Sequence, residues 1–439
     1  MLIFPKNAIL KFGDKMDLVV VLVVFTITYF LIITGKFKRS TVAFSAGMAI
    51  LLFKIISNYS AEKIGFYVDF NTLGILMGMM IIVGILKSTG FFEYVAIYIV
   101  KFSRGNVRIL FFFFMITIAF FSALLDNVTT ILLFSPIIFL VSDSLEISPK
   151  PYIILTVLFA NIGGTATIIG DPPNILIGSA STFGFIDFVI YLGPLVAIIA
   201  FISLLFSDRK YFRPVAKKSD SLKRFSNTDP KKAIKSEKEL KKALFVFVLV
   251  IFGFLTHDIF NYDASIIALS GAAFLMLISN KNFAEITKEI EWDTIFFFVG
   301  LFIISFSLQE VGISSFLSGV LGNLSSTPIL LYLTIIWITA VAGSFIGAVP
   351  VVTIMIPIIQ TLIISYNVSP EIWWSLSIGA CFGGSGAITG AASNMVGVGL
   401  LEQHTNERFG YINYIKYSLP ITLLSLIIGS IYTVLMTIF

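Results

Sequence analysis

The chain has 439 residues, 57% of them hydrophobic and only 13% charged, with a mean hydropathy of +0.97. Ordinary soluble domains do not have this composition, and 45 phenylalanines suit surfaces that face lipid or other helices. The single Cys381 and the two histidines, His257 and His404, exclude an intrachain disulfide, a multi-thiolate metal site and a histidine cage. The net charge of +5 conceals a basic linker. Residues 207–242 hold 13 Lys/Arg against 5 acids, while the rest of the chain holds 17 against 20. Between apolar segments such a run reads as a cytoplasmic orientation signal and not as a nucleic-acid site. Residues 1–15 lack the basic start and small-residue cleavage site of a secretory signal.

Segments near the length needed to cross hydrocarbon lie at 17–34, 41–57, 71–89, 151–178, 184–206, 243–260, 264–280, 294–309, 371–401 and 414–438. Two of these, 151–178 and 371–401, carry Gly-rich interruptions, the first also with two prolines. The first contains NIGGTATIIGDPPN (Asn161 to Asn174) and the second GGSGAITGAASN (Gly383 to Asn394). In the first, proline removes a donor and clashes with the preceding turn, so the helix cannot continue, and the second repeats its glycines at matching positions. Broken backbone survives at membrane depth only inside protein or along a polar cavity. Two further apolar pairs are joined by tight tips, Asp126-Asn127 within 107–143 and Gly347-Ala348 within 329–366. They read as re-entrant hairpins, with two ordinary spans and a short turn as the alternative. The segment Phe91 to Lys101 reads as an interfacial arm.

The two halves, 1–206 and 243–439, repeat one another. FNTLGILMGMMIIVGILKSTG (Phe70 to Gly90) matches WDTIFFFVGLFIISFSLQEVG (Trp292 to Gly312) at an offset of 222. LLDNVTTILLFSP (Leu124 to Pro136) matches FIGAVPVVTIMIP (Phe345 to Pro357) at 221, and the interrupted segments match at 220. With the linker inside, 25 of the 30 basic residues fall on the inner side; Lys6, Lys11, Lys15 and Lys63 fall outside and Lys54 within a span. Five crossings per half follow, with both termini outside and the halves inverted. The fold class is therefore an all-α, inverted-repeat membrane transporter with about ten membrane helices and two hairpins. A multi-pass cell-membrane location goes with it.

Asp126 and Asp171 are the carboxylates placed deepest. Two close carboxylates in low dielectric do not both stay ionised alone, so one takes a proton or a sodium ion sits between them. Asn127, Thr129, Thr130, Asn161, Thr165, Thr167 and Asn174 add the neutral oxygens that hard cations prefer. Asp171 also suits a helix cap, a role compatible with ion binding. Gly163, Gly164, Gly347, Ala348, Gly383, Gly384, Ser385, Gly386, Thr389, Ser393 and Asn394 let a solute approach backbone amides at the half-helix ends without side-chain bulk. Close helix packing accounts for some of these small residues. No Lys or Arg falls at the expected midplane, so a multivalent anion there would need bound cations. Cys381 reads as a small packing residue, and one thiol cannot chelate trivalent arsenic. No nucleophile–base or metal constellation suggests an enzyme, and no resident cofactor is expected.

These motifs resemble the ion-transporter superfamily, and most closely its branch of arsenite permeases, sodium–proton antiporters and the pink-eyed-dilution (P) protein. The resemblance rests on LLDNVTTILLFSP, NIGGTATIIGDPPN, the run Asp69 to Tyr94 and NMVGVGLLEQH (Asn394 to His404). It implies a dimeric carrier whose transport domain moves against a scaffold, with ions held at hairpin tips and helix breaks. One position departs from the branch: its second tip repeats Asp-Asn, where this chain has Gly347-Ala348. The expected activity is ion-coupled transport of a small anion or metalloid oxyacid, with sodium–proton exchange and an anion channel as alternatives. Cysteines introduced at Ser221 and Ser236 should react with membrane-impermeant reagents from the cytoplasmic side only. Labelling from outside would reverse the orientation.

Overall fold

A long apolar run in lipid satisfies its backbone only by forming helix, and its ends fall where caps, glycines or prolines allow. The computed structural model describes residues 15–34, 36–55, 65, 67–215, 229–260 and 262–438, and among these every regular element is helical. Linker residues 216–228, Ser221 among them, lie outside the described residues, as do Lys6, Lys11, Lys63 and the last two residues of segment 41–57.

The first half supplies α1 (Lys15–Thr34), α2 (Arg39–Leu52), α3 (Phe70–Ser88), α4 (Phe91–Phe102), α5 (Val107–Leu124), α6 (Asn127–Ser144), α7 (Lys150–Gly164), α8 (Pro172–Ala180) and α9 (Phe185–Ser207). The second supplies α10 (Glu237–Phe260), α11 (Ala264–Ile278), α12 (Trp292–Glu310), α13 (Ile313–Gly322), α14 (Pro328–Ile346), α15 (Ala348–Tyr366), α16 (Ile372–Gly383), α17 (Ala392–Thr405) and α18 (Tyr411–Ile438). Ten of the described helices are long and apolar enough to cross a membrane, and four of them are the paired arms α5–α6 and α14–α15. The segment read as 41–57 ends its helix earlier, at Leu52, where Lys54 turns to φ +48°. At 1.5 Å per residue α2 is only about 21 Å long.

Both interruptions form as the sequence requires. Backbone between Gly164 and Pro172 leaves helix altogether, and between Gly383 and Ala392 only a 3₁₀ turn at Ile388–Gly390 remains. The repeat is visible in backbone detail. Gly90 and Gly312 precede α4 and α13 with the same φ of +85°, a left-handed turn that glycine adopts without strain. Gly78 lets α3 approach α11 so closely that a Cβ would stand 2.6 Å from the Ala268 carbonyl carbon. Its counterpart Gly300 does the same for α12 on α2, where a Cβ would stand 2.5 Å from the Phe44 nitrogen.

The chain divides into two compact units, and each draws on both halves. One comprises the chain up to Phe70 with Trp292–Leu331 and Thr353–Ile372. Its core sets Val21 of α1 against Leu308 and Val311, and α12 lies along α2. Ser305 donates to the Thr353 carbonyl at 2.5 Å, tying α12 to α15. The other unit comprises Asn71–Glu291, Tyr332–Val352 and Trp373–Phe439. There α7 is buried along nearly its whole length and packs on α5, α6 and α17. The Phe111 and Tyr152 rings stack at 4.0 Å between α5 and α7. Both hairpin tips and both helix breaks belong to this second unit.

Gly78→Val should overpack the α3–α11 contact and cost roughly 1–3 kcal/mol, lowering the unfolding midpoint of the purified protein. Gly399→Ala, where a Cβ meets nothing within 4 Å, should be neutral or slightly stabilising.

Candidate functional site

Each break leaves helix-end carbonyls without partners, and in both halves an asparagine answers them. Asn174, in the first turn of α8, donates its amide to the Thr165 and Thr167 carbonyls at 3.0 and 3.1 Å. Asn394, in the first turn of α17, donates to the Gly384 and Ala387 carbonyls, both at 2.7 Å. Their amide oxygens reach into the opposite half. Asn394 Oδ1 accepts from Asn161 Nδ2 at 2.9 Å, and Asn174 Oδ1 accepts from Ser377 Oγ at 2.6 Å and from the Cys381 thiol at 3.4 Å. Asn161 also donates to Ser385 Oγ at 3.0 Å and accepts from Ser393 Oγ at 2.8 Å. All three asparagines are buried. The two half-helix pairs are thus cross-tied at their centres by amides.

Each tip docks on the break of its own half. Thr167 Oγ1 donates to the Ala123 carbonyl beside the first tip. Thr389 Oγ1 donates to the Ser344 carbonyl, the repeat equivalent, at 3.4 Å. Gly164 and Gly384 sit where the tips press: a Cβ on Gly164 would crowd Asn127 Oδ1, and one on Gly384 would stand 3.1 Å from the Ala348 Cβ. Gly163 and Gly383 serve close packing one turn away, against Ala119 of α5 and Ala340 of α14. Gly386 lies over Ser344, and its carbonyl accepts from Ser418 at 3.0 Å.

The carboxylates differ in their commitments. Asp126 caps α6, accepting from the Thr129 amide at 2.8 Å, and is half-buried. It borders a small cavity otherwise walled by apolar residues, among them Ile75, Met79, Met80 and Val83 of α3. Asp171 occupies the N-cap position of α8 and is 6% exposed, yet its side chain makes no capping hydrogen bond. Its carboxylate instead faces Asn127 and Cys381, within the electrostatic reach of Asp126. Asn127 is held in turn by a hydrogen bond from Ser122. Asp171 therefore does not fill the cap role read for it, whereas Asp126 caps its own helix. Thr130 and Thr165 donate to the Asp126 and Asn161 carbonyls, at 3.0 and 2.9 Å, which leaves their oxygen lone pairs for other partners. Gly347, the counterpart of Asp126, adopts φ +111°, so the two tips differ in backbone as well as charge.

Sequence reading missed Ser122, Ser377 and Cys381 as site residues. Cys381, read as packing, turns its thiol onto Asn174 and Asp171. The available signal was the repeat itself, because the 220-residue offset maps Asn161 onto Cys381. His404 takes no part in this cluster: it stacks on Phe139 at 4.1 Å and meets Asp143 at 3.1 Å at the end of α17.

A family model for citrate transporters (CitMHS) matches residues 29–379, which include the first break and both tips. The chain belongs to the citrate transporter family. An uncharacterized transporter of Mycobacterium bovis is 32% identical over 94% of this chain and 97% of its own length. The human P protein is 28% identical over 92% of this chain, which spans 58% of that longer protein, in keeping with the branch resemblance. The crystal structure of the Alcanivorax borkumensis YdaH transporter superposes with a TM-score of 0.58 over 84% of this chain and 86% of that one, at 16% identity, and shares its fold. This family member is a multi-pass membrane transporter and not an enzyme.

Asn174→Ala or Asn394→Ala should each strand two break carbonyls, at about 1–3 kcal/mol per buried unsatisfied group. A clear drop in unfolding midpoint is expected for both variants and none for the exposed Asn413→Ala.

Proposed function

We propose that this protein is a secondary active transporter that couples a small anion to a proton or sodium ion, with the cation in the first half and the solute against the second. The observation that carries the reading is the contrast between the breaks. At the first, a buried carboxylate without a cap lies near a second carboxylate, an arrangement that calls for a cation. The threonine lone pairs left by Thr130 and Thr165 suit sodium, while a proton shared between Asp126 and Asp171 needs no further ligand.

The half-helix N-termini differ in the matching sense. α8 opens with Pro172 and Pro173, which have no N–H to offer an anion. α17 opens with Ala392, Ser393 and Asn394, which keep theirs, beside the small tip Gly347-Ala348. The described residues of the cluster include no Lys or Arg, so a carboxylate substrate of the kind the family description names would draw neutralising charge from a co-bound cation. Metalloid oxyacids, recognised through hydroxyls, fit the same groups. In this reading α5–α6 and α14–α15 are re-entrant hairpins of inverted halves. A transport domain carrying them works against a scaffold in a cell-membrane homodimer, with residues 207–242 in the cytoplasm. Exchange of sodium for protons with no separate solute is the second reading, favoured by the same carboxylate pair.

Proteoliposomes with imposed pH and sodium gradients, offered citrate, smaller carboxylates and arsenite, test this directly. Asp171→Asn and Asp126→Asn should each abolish gradient-driven uptake in folded protein. Ala348→Val should raise KM for the solute and leave the cation dependence intact. Wild-type coupling in Asp171→Asn would remove the cation from the first half, and flux of cations with no counterflow of any solute would favour the exchanger.

A further inference from the structure

The base of the first hairpin carries a charge cluster that the transport reading does not use. Arg108, at the start of α5, forks onto Asp208 through Nε to Oδ1 and through Nη2 to Oδ2, the latter at 2.6 Å. Arg213 adds a third bond, Nε to Asp208 Oδ2 at 3.0 Å. Asp208 opens a π-helical turn, Asp208–Phe212, that extends α9 and changes its register before Arg213. A buried aromatic stack holds the turn in place. Phe212 lies 5.6 Å from Phe111, which stacks on Tyr152, and Tyr152 donates to the Tyr211 carbonyl at 3.1 Å. One bidentate guanidinium already satisfies a carboxylate. A second arginine therefore leaves the cluster positive by construction.

The side-chain exposures show which way that excess faces. Asp208 is 6% exposed, whereas Arg108 and Arg213 are 47% and 56% exposed. Lys210 folds over the Phe206 and Tyr211 rings at 5.4 and 5.2 Å, keeping its ammonium at the same turn. No acid offsets these charges locally in sequence: residues 94–125 hold Lys101, Arg104 and Arg108 with no acid, and 188–215 hold Arg209, Lys210 and Arg213 with Asp208 alone. Directly below, α5 and α9 present exposed apolar residues, Ile109, Phe113 and Ile116 on one helix and Leu205, Phe201 and Ile198 on the other. A cationic fork at the end of two lipid-facing apolar stripes matches a molecule with an anionic head and hydrocarbon tails.

We propose that the Arg108–Asp208–Arg213 bridge is the headgroup site of a bound anionic phospholipid, whose tails run along α5 and α9. Asp208 acts as the spacer that fixes two guanidiniums side by side, and the lipid phosphate takes their outward N–H groups. The ligand would then join the base of the first hairpin to α9.

Native mass spectrometry of the full chain in detergent, titrated with phosphatidylglycerol, phosphatidylcholine or inorganic phosphate, tests this. Phosphatidylglycerol should be retained in preference to phosphatidylcholine, and inorganic phosphate should not displace it. Arg213→Gln leaves the Arg108 fork in place, so the fold is kept, and should weaken phosphatidylglycerol retention about fivefold. Adding Lys210→Gln should bring the loss to roughly 25-fold. Lys288→Gln, which removes an exposed positive charge in the 287–289 turn, should change nothing. Equal retention of both lipids, equal loss in Lys288→Gln and Arg213→Gln, or displacement by inorganic phosphate would each overturn the proposal.

Discussion

Two asparagine amides hold the centre of this protein together. A helix broken inside a membrane protein exposes carbonyls that neither lipid nor apolar side chains can satisfy, and each one left bare costs free energy. Asn174 and Asn394 each take two of these carbonyls with one amide group and use the remaining oxygen to reach the other half. The same side chains therefore make the breaks tolerable and bind the repeats to each other through Asn161, Ser377 and Cys381. Because both jobs fall on single residues, any movement that separates the breaks must exchange these bonds for others.

The duplication sets up a symmetric frame, and the symmetry fails at the tips. Glycines at corresponding positions do corresponding work: Gly163 and Gly383 admit Ala119 and Ala340, and Gly78 and Gly300 admit a neighbouring helix backbone. Their purpose is approach distance, which a Cβ would prevent. At the tips the equivalence ends. One tip carries a capping carboxylate on extended backbone, and the other carries a glycine in a left-handed conformation that an aspartate would adopt only with strain. A prolyl start on α8 and a donor-bearing start on α17 extend the same division. The first half thus carries the charge at its tip and break, and the second keeps small side chains and backbone donors at its helix start.

Away from the centre, ion pairs such as Lys38–Asp293 and Lys150–Glu407 are solvent-facing and add little to stability. The bridge at Asp208 differs because its carboxylate is buried and answered by two arginines, so it fixes geometry where the hairpin base meets α9.

The helices, their breaks and the repeat were legible in the sequence because each follows from local chemistry. Apolar length sets a span, proline and paired glycines end it, and a constant offset of 220–222 residues exposes duplication without coordinates. Asp126, Asp171 and the asparagines stood out for the same reason, as polar groups where polarity is costly. The tertiary structure decided what those groups do. Whether an aspartate at a helix start caps it depends on side-chain direction, and here Asp126 caps while Asp171 turns toward Asn127 and Cys381. The bonds that reach Asn174 and Asn394 from the opposite half span 203 to 233 residues, so no local pattern contains them. α2 fell short of its apolar segment because a left-handed turn at Lys54 follows its end, a backbone choice that hydropathy does not encode. Local chemistry fixes where a chain can be helical; only packing at a distance fixes which polar groups face each other.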